Sequence, residues 1–147
     1  FENKLKGIFL GNFINWDAYK QTNLMKKLYN WQESKEPFER TYRTISNLDD
    51  MHENGIHDYL KYIKFGYGRC SDHASKDIRM NYMTREEAIK MVRKYDHIKP
   101  QKDLKRWLDY VDMKENEFDT VADTFRSKSV WRKDENDNWA KDNIWDS

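Results

Sequence analysis

What this chain is able to bury limits what it can fold into. Of its 147 residues only 28 are Leu, Ile, Val or Phe, a share low enough on its own to suggest disorder. Against that stand seven Phe, six Trp and nine Tyr. Each such side chain can bury about 150–250 Å². A net charge of +1 gives the chain no electrostatic reason to stay open. The expectation is an ordered domain, or part of a larger one, with a modest core built largely from aromatic rings.

The same composition excludes several classes. No run approaches the ~18 apolar residues that a membrane span needs. The single cysteine, Cys70, cannot form an internal disulfide, which favours a reducing, cytoplasmic compartment. No Cys/His spacing suggests zinc, and no metal-ligand set is assignable. The chain opens Phe-Glu-Asn-Lys, with neither an initiator Met nor a signal-peptide pattern. The expectation is either a fragment or a chain whose start is missing.

Hydrophobic spacing then orders the chain. Residues 5–13, LKGIFLGNF, read as a short strand punctuated by Gly7 and Gly11. Asn15-Trp16-Asp17 reads as a helix start, since Asn and Asp side chains cap open backbone N–H groups. The helix that follows spans about 17–31, with Tyr19, Leu24, Leu28 and Trp31 on one face, and ends ahead of Pro37. Residues 38–54 show no period. FERTYRTI reads as a short extended piece, and Asn47, Asp49, Asp50, Asn54 and Gly55 as loop. Ile56, Tyr59, Leu60 and Ile63 mark a helix that Gly66 and Gly68 stop, and a shorter helix runs from Ser71 or Asp72 to about Met80.

Thr84-Arg85-Glu86-Glu87 fits a capping box at the head of a helix reaching Tyr95. Asp96 to Pro100 breaks the chain. Leu104, Trp107, Leu108 and Val111 form another helical face, and Phe118, Val121, Ala122 and Phe125 belong to a last helix over about 114–127. The fold class is thus mostly α: a bundle-like domain of about six helices with one short N-terminal strand. Residues 1–130 form the single helical domain, and 131–147 form a tail anchored on it by Trp131, Trp139 and Trp145.

Charge is unevenly placed. From Lys61 to Arg106 there are 13 Lys or Arg against six Asp or Glu, while the remainder is net acidic. Such a block suits the phosphates of a nucleotide or nucleotide sugar, and equally the solvated faces of three helices. The chain as a whole is too near neutral for a nucleic-acid binder, and no nucleic-acid motif is present.

Polar chemistry is densest in residues 64–87, KFGYGRCSDHASKDIRMNYMTREE. On a helix, His73 and Asp77 form an i, i+4 pair in which the carboxylate could orient the imidazole and raise its pKa for acid–base catalysis. Arg69 and Arg79 suit phosphate or carboxylate, with Lys64, Asp72 and Lys76 beside them as further binding candidates. The same spacing also fits an ordinary surface pair, with Asp72 as a helix cap. Trp16 and Asp17 form a second candidate pair, with Trp16 suited either to stacking on a ligand ring or to a core. Gly66-x-Gly68 is too short for a dinucleotide fingerprint, and Cys70 reads more readily as a small buried hydrophobe than as a nucleophile.

The stretch IHDYLKYIKFGYGRCSDHASKDIR, followed by MTREEAIKMVRKYD, resembles the C-terminal part of the bacterial N-acetyl sugar amidotransferases of lipopolysaccharide, O-antigen and flagellin-glycan pathways. The resemblance extends upstream to IFLGNFINWDAYK and downstream to ENEFDTVADTFR and the tail. It implies the C-terminal half of an α/β PP-loop ATPase. In such an enzyme ATP with Mg²⁺ activates the acetamido oxygen of a nucleotide-linked sugar, and ammonia from a glutaminase subunit converts the group to an acetamidino group. The resemblance carries the binding and catalytic roles only onto the matching positions: Lys64, Arg69, Asp72, His73, Lys76, Asp77, Arg79, and more weakly Trp16 and Asp17.

The family's Ser-Gly-Gly-x-Asp-Ser phosphate loop and its cysteines are not among these 147 residues. ATP and Mg²⁺ are therefore expected for the full-length enzyme, none is assignable to this chain, and the chain alone is expected to be inactive. Its expected partners are the nucleotide-sugar substrate, the glutaminase and the ATPase half, in which the 5–13 strand would complete a sheet. An unpaired edge there favours self-association. The competing reading is a free-standing helical interaction module without catalysis.

Overall fold

The computed structural model describes residues 6–46 and 52–146. Six helices dominate: α1 (Ala18–Tyr29), α2 (Glu53–Phe65), α3 (Arg69–Arg79), α4 (Arg85–Tyr95), α5 (Gln101–Val111) and α6 (Glu115–Asp123). Two short strands follow, β1 (Arg132–Lys133) and β2 (Trp139–Ala140), paired antiparallel with Arg132 opposite Ala140. The chain divides into two compact units, Phe1–Glu33 and Ser34–Ser147.

In the N-terminal unit the expected strand is absent from the described part of 5–13. Residues 6–9 join no helix or strand, and Leu10–Asn12 make one 3₁₀ turn. A strand persists only if its backbone groups find a partner. The one strand pair among the described residues is closed on itself in the C-terminal tail. The helix start holds as read: the Asp17 carboxylate accepts hydrogen bonds from the N–H groups of Tyr19 (3.0 Å) and Lys20 (3.1 Å). Helix α1 stops short of Pro37, because Asn30 takes the left-handed conformation (φ 52°) that ends a helix. No α1 residue is buried, and Leu24 and Leu28 stand open to solvent.

The larger unit is built on two apolar clusters. Ile56, Leu104, Phe118 and Ala122 join α2, α5 and α6, with Tyr59, Leu60 and Trp107 packed against them. Cys70, Ala74, Ala88 and Val92 join α3 to α4, with Met91, Tyr95 and Trp145 at the margin. Rings do much of the filling, as the composition demands. Phe118 stacks on Tyr59 at 6.3 Å and meets the edge of Trp107 at 5.5 Å.

Helix α2 begins at Glu53, ahead of the expected start, and takes in Gly55. That glycine serves close approach rather than a loop. A Cβ there would stand 2.3 Å from Asp103 Oδ2 on α5. The loop readings at Asn47, Asp49 and Asp50 lie outside the described residues. Gly66 ends α2 in the left-handed region (φ 77°), as a glycine stop should. The capping box holds: Thr84 N–H donates to Glu87 Oε2 (2.9 Å), and Glu87 N–H donates to Thr84 Oγ1 (3.2 Å).

In the tail, Trp131 is buried and meets the edge of Tyr62 at 5.4 Å. The Arg126 guanidinium lies 4.4 Å from the Trp131 ring and 5.1 Å from Trp139, and the Trp139 indole N–H donates to Asp123 Oδ2 (2.9 Å).

Candidate functional site

Helix α3 carries most of the candidate residues, and one carboxylate on another element decides where it starts. Asp96, just past the end of α4, accepts hydrogen bonds from Gly68 N–H (2.8 Å), Ser71 N–H (3.1 Å) and Ser71 Oγ (2.7 Å). It is buried. A negative charge here satisfies open donors and complements the positive end of the helix dipole. Helix α3 consequently begins at Arg69, two residues before the first position that local sequence suggests. Its N-terminus is already filled by Asp96 and offers no seat to a phosphate.

The aperiodic stretch 38–45 closes over α3. It folds on itself through Phe38 N–H to Arg43 O (3.2 Å) and Thr41 N–H to Phe38 O (3.1 Å). The Arg40 guanidinium is buried, donates to the carbonyls of Asp96 (2.5 Å) and Ile98, and lies 5.3 and 5.5 Å from the rings of Tyr59 and Tyr62. Burial lowers its pKa from the ordinary value, while the nearby carboxylates of Asp96 and Asp58 pull the other way. Glu39 accepts from Gln101 N–H (3.1 Å) and Lys102 N–H (3.2 Å), capping α5 from a distance.

His73 and Asp77 both face inward, and each is engaged elsewhere. The Asp77 carboxylate takes the Arg43 guanidinium and the Tyr42 hydroxyl. His73 Nδ1 lies 2.7 Å from Thr41 Oγ1. That hydroxyl also accepts Arg43 N–H at 3.4 Å and is buried. The hydroxyl and Nδ1 thus share one hydrogen bond, with the donor set by the imidazole tautomer. The expected rise in the imidazole pKa is reversed. Burial, with Arg43, Arg69, Lys76 and Lys61 adding positive charge around it, pushes His73 down to about 3. Near neutral pH it is an uncharged imidazole held against Thr41.

The remaining candidates separate by face. Arg69 is committed to Asp58 through Nε and Nη2, both at 2.9 Å, and Asp72 pairs with Lys61. Lys64, Lys76 and Arg79 are exposed. Lys64 Nζ lies 5.2 Å from its neighbour's ring, Phe65, and Arg79 Nη1 donates to Ser75 Oγ at 2.9 Å. Trp16, exposed, and Asp17, the α1 cap, belong to the N-terminal unit. Cys70 is fully buried, and burial pushes its thiol up to about 12, so it has no nucleophilic character. Among the described residues no group of three or more His, Cys, Asp or Glu is placed to hold a metal ion, and no helix is long and apolar enough to cross a membrane.

Two chemistries result. The inner face of α3 is a buried polar lattice that fixes the helix, and the outer face presents Ser75, Lys76 and Arg79 to solvent. The residues that local pattern could not reveal are Arg40, Thr41, Arg43, Asp58 and Asp96. The available signal was two arginines bracketing Thr-Tyr in a stretch of no periodicity, and an aspartate immediately beyond a helix end.

A family model described as LPS biosynthesis protein WbpG-like, C-terminal domain, matches residues 29–144. No curated protein matches the chain. The matched span takes in α2 to α6, the covering stretch 38–45 and the tail hairpin, and leaves residues 6–28 outside it.

Proposed function

The chain belongs to the WbpG-like C-terminal domain family of lipopolysaccharide-biosynthesis proteins, and from that premise we propose that it is the C-terminal region of an ATP-dependent amidotransferase. The reaction converts an N-acetyl group of a nucleotide-activated sugar to an acetamidino group, in the cytoplasm, with ammonia from a glutaminase partner. The observation that carries the reading is the division of α3. Its inner face is locked by Asp96, Arg43–Asp77 and Arg69–Asp58, so its outer cations are held on a rigid element.

In this reading Lys76 and Arg79, with Lys64 at the end of α2, receive the phosphates of the nucleotide sugar. Arg69 and Asp72, both in internal ion pairs, act as positioning residues. His73 and Asp77 act in this reading by holding the covering stretch onto α3. In this reading ATP and Mg²⁺ are held by the ATPase half. The glycine-flanked start of α3 is filled by Asp96. Adenylation is accordingly assigned to the ATPase half.

A thermal-shift titration with UDP-N-acetyl sugars and CMP-linked nonulosonic acids tests the reading, because a ligand that binds the folded state raises the melting temperature. The expected result is a rise that the double substitution Lys76→Ala, Arg79→Ala abolishes while the unliganded melting temperature stays put, both side chains being exposed. No rise in the unaltered chain removes substrate recognition from this region. That outcome favours the interaction-module reading, which the exposed apolar N-terminal unit supports.

A further inference from the structure

The turn between α2 and α3 holds two aromatic rings open to solvent. Phe65 closes α2, Tyr67 stands two positions before α3, and Gly66 between them takes the left-handed conformation (φ 77°). The ring centroids lie 6.2 Å apart with the planes 36° from parallel, Phe65 49% and Tyr67 46% exposed. The backbone beneath them is fixed on both sides. Gly66 N–H donates to Tyr62 O at 2.8 Å, and Gly68 N–H donates to Asp96 Oδ2 at 2.8 Å. Val130 and the Lys141 stem pack behind the turn, so closely that a Cβ on Gly66 would stand 2.5 Å from Val130 Cγ1. Two ammonium groups border the rings. Lys61 Nζ lies 4.6 Å from the Tyr67 centroid and is paired with Asp72. Lys64 Nζ lies 5.2 Å from the Phe65 centroid, is exposed, and forms no ion pair among the described residues.

We infer that Phe65 and Tyr67 form a stacking platform for a nucleobase, with Lys64 beside it for the phosphate that the base carries. The inference rests on the reading of the chain as part of a nucleotide-sugar enzyme, and adds to it the place of the base. Size, charge and rigidity select this occupant. A fully open large aromatic side chain presents about 150–250 Å², so two half-open rings offer roughly that much together. A stable protein interface buries about 800 Å² per partner. The surface is therefore too small for a protein or a second copy, and it matches one flat heterocycle. Two adjoining rings seat one base, whereas a nucleic-acid strand needs a succession of them. The uncompensated charge of Lys64 favours a ring that arrives with an anion attached. The fixed turn leaves little ordering to be done when the base lands.

Amide-shift titrations of the labelled chain with UMP, CMP and ribose 5-phosphate test this. UMP or CMP should bind and shift the amides of residues 64–68, with ribose 5-phosphate at least fivefold weaker. One base on one aromatic ring is worth a factor of about 5–150. The double substitution Phe65→Ala, Tyr67→Ala should therefore weaken nucleotide binding at least tenfold. Phe65→Tyr and Tyr67→Phe should preserve it, which keeps the test decisive if the alanine pair does not fold. Lys64→Ala should weaken UMP and leave uridine unchanged. The platform is overturned if the alanine pair binds UMP and CMP as well as the unaltered chain, if ribose 5-phosphate binds as tightly as UMP, or if neither nucleotide binds. A dimer of the chain, or binding to phosphatidylglycerol vesicles, that the alanine pair abolishes overturns it in favour of another occupant. The nucleotide-sugar titration separates the two readings. A thermal shift that needs Lys76 and Arg79 but not the two rings overturns the platform alone. UMP binding that needs the rings, with a shift indifferent to Lys76 and Arg79, leaves the platform standing and removes those two cations from the phosphates.

Discussion

Replacing Asp96 should cost this fold more than replacing any other capping residue. The carboxylate satisfies two backbone N–H groups and one hydroxyl at the start of α3, at 2.7–3.1 Å, in a buried setting. It also faces Arg40, whose own hydrogen bonds run to the carbonyls of Asp96 and Ile98. Loss of an ordinary cap costs about 0.5–2 kcal/mol. Each buried donor left without its acceptor costs about 1–3 kcal/mol, and here Gly68 N–H, Ser71 N–H and the Ser71 hydroxyl all lose theirs while Arg40 loses one of two nearby carboxylates. These losses share one site and do not add in full, so Asp96→Ala should cost about 3–5 kcal/mol. Asp96→Asn keeps one acceptor oxygen and loses the charge, and should cost about 1–2 kcal/mol. Glu39 caps α5 in the same way from a half-exposed position, and Glu39→Ala should cost only about 0.5–1 kcal/mol. Urea unfolding followed by tryptophan fluorescence reads all three. With a slope of about 1.5–2 kcal/mol/M, Asp96→Ala should move the midpoint down by roughly 2 M at unchanged slope. If that substitution leaves no folded protein, the asparagine and Glu39 variants still order the series. Equal losses for Asp96→Ala and Glu39→Ala would refute the argument, because burial and Arg40 would then add nothing.

Three further outcomes follow from named contacts. His73 is held down to about 3 in the native state against an ordinary 6.5, so between those values the unfolded chain binds a proton that the folded one refuses. Stability should be complete above pH 6.5 and fall by about 2 kcal/mol from pH 7 to pH 5 on this account alone; His73→Gln should flatten that slope in urea melts, and parallel slopes would sink the claim. Gly66→Ala puts a side chain at φ 77° with its Cβ 2.5 Å from Val130 Cγ1. It should lose about 2 kcal/mol, or roughly 4–8 °C of melting temperature, part of which Val130→Ala should restore. Cys70 should resist Ellman's reagent at pH 8 in the native protein and react on unfolding, given full burial and a thiol pushed up to about 12; rapid native labelling would contradict its placement.

Much of the helical frame was legible in the residues themselves. The Thr84–Glu87 box, the Asp17 cap and the Gly66 stop are local devices. Each satisfies backbone groups within a few positions of itself, so its effect can be read without knowing the fold. The aromatic core followed in the same way from a shortage of aliphatic residues. The strand over 5–13 did not, since a strand is completed by whatever lies beside it, and a one-dimensional pattern carries no record of that neighbour.

The candidate site divides along the same line. Periodicity placed His73 and Asp77 on one helix, one turn apart. Tertiary structure decided that Thr41 and Arg43, from a stretch without any period, would reach those side chains from more than thirty positions away. Once they do, Asp77 neutralises an arginine rather than orienting an imidazole, and His73 is left among cations that keep it uncharged. Local sequence determined which backbone donors and apolar faces each helix would offer. Only the assembled fold determined which buried charge would meet which, because a charge removed from water must find a partner wherever the chain brings one within reach.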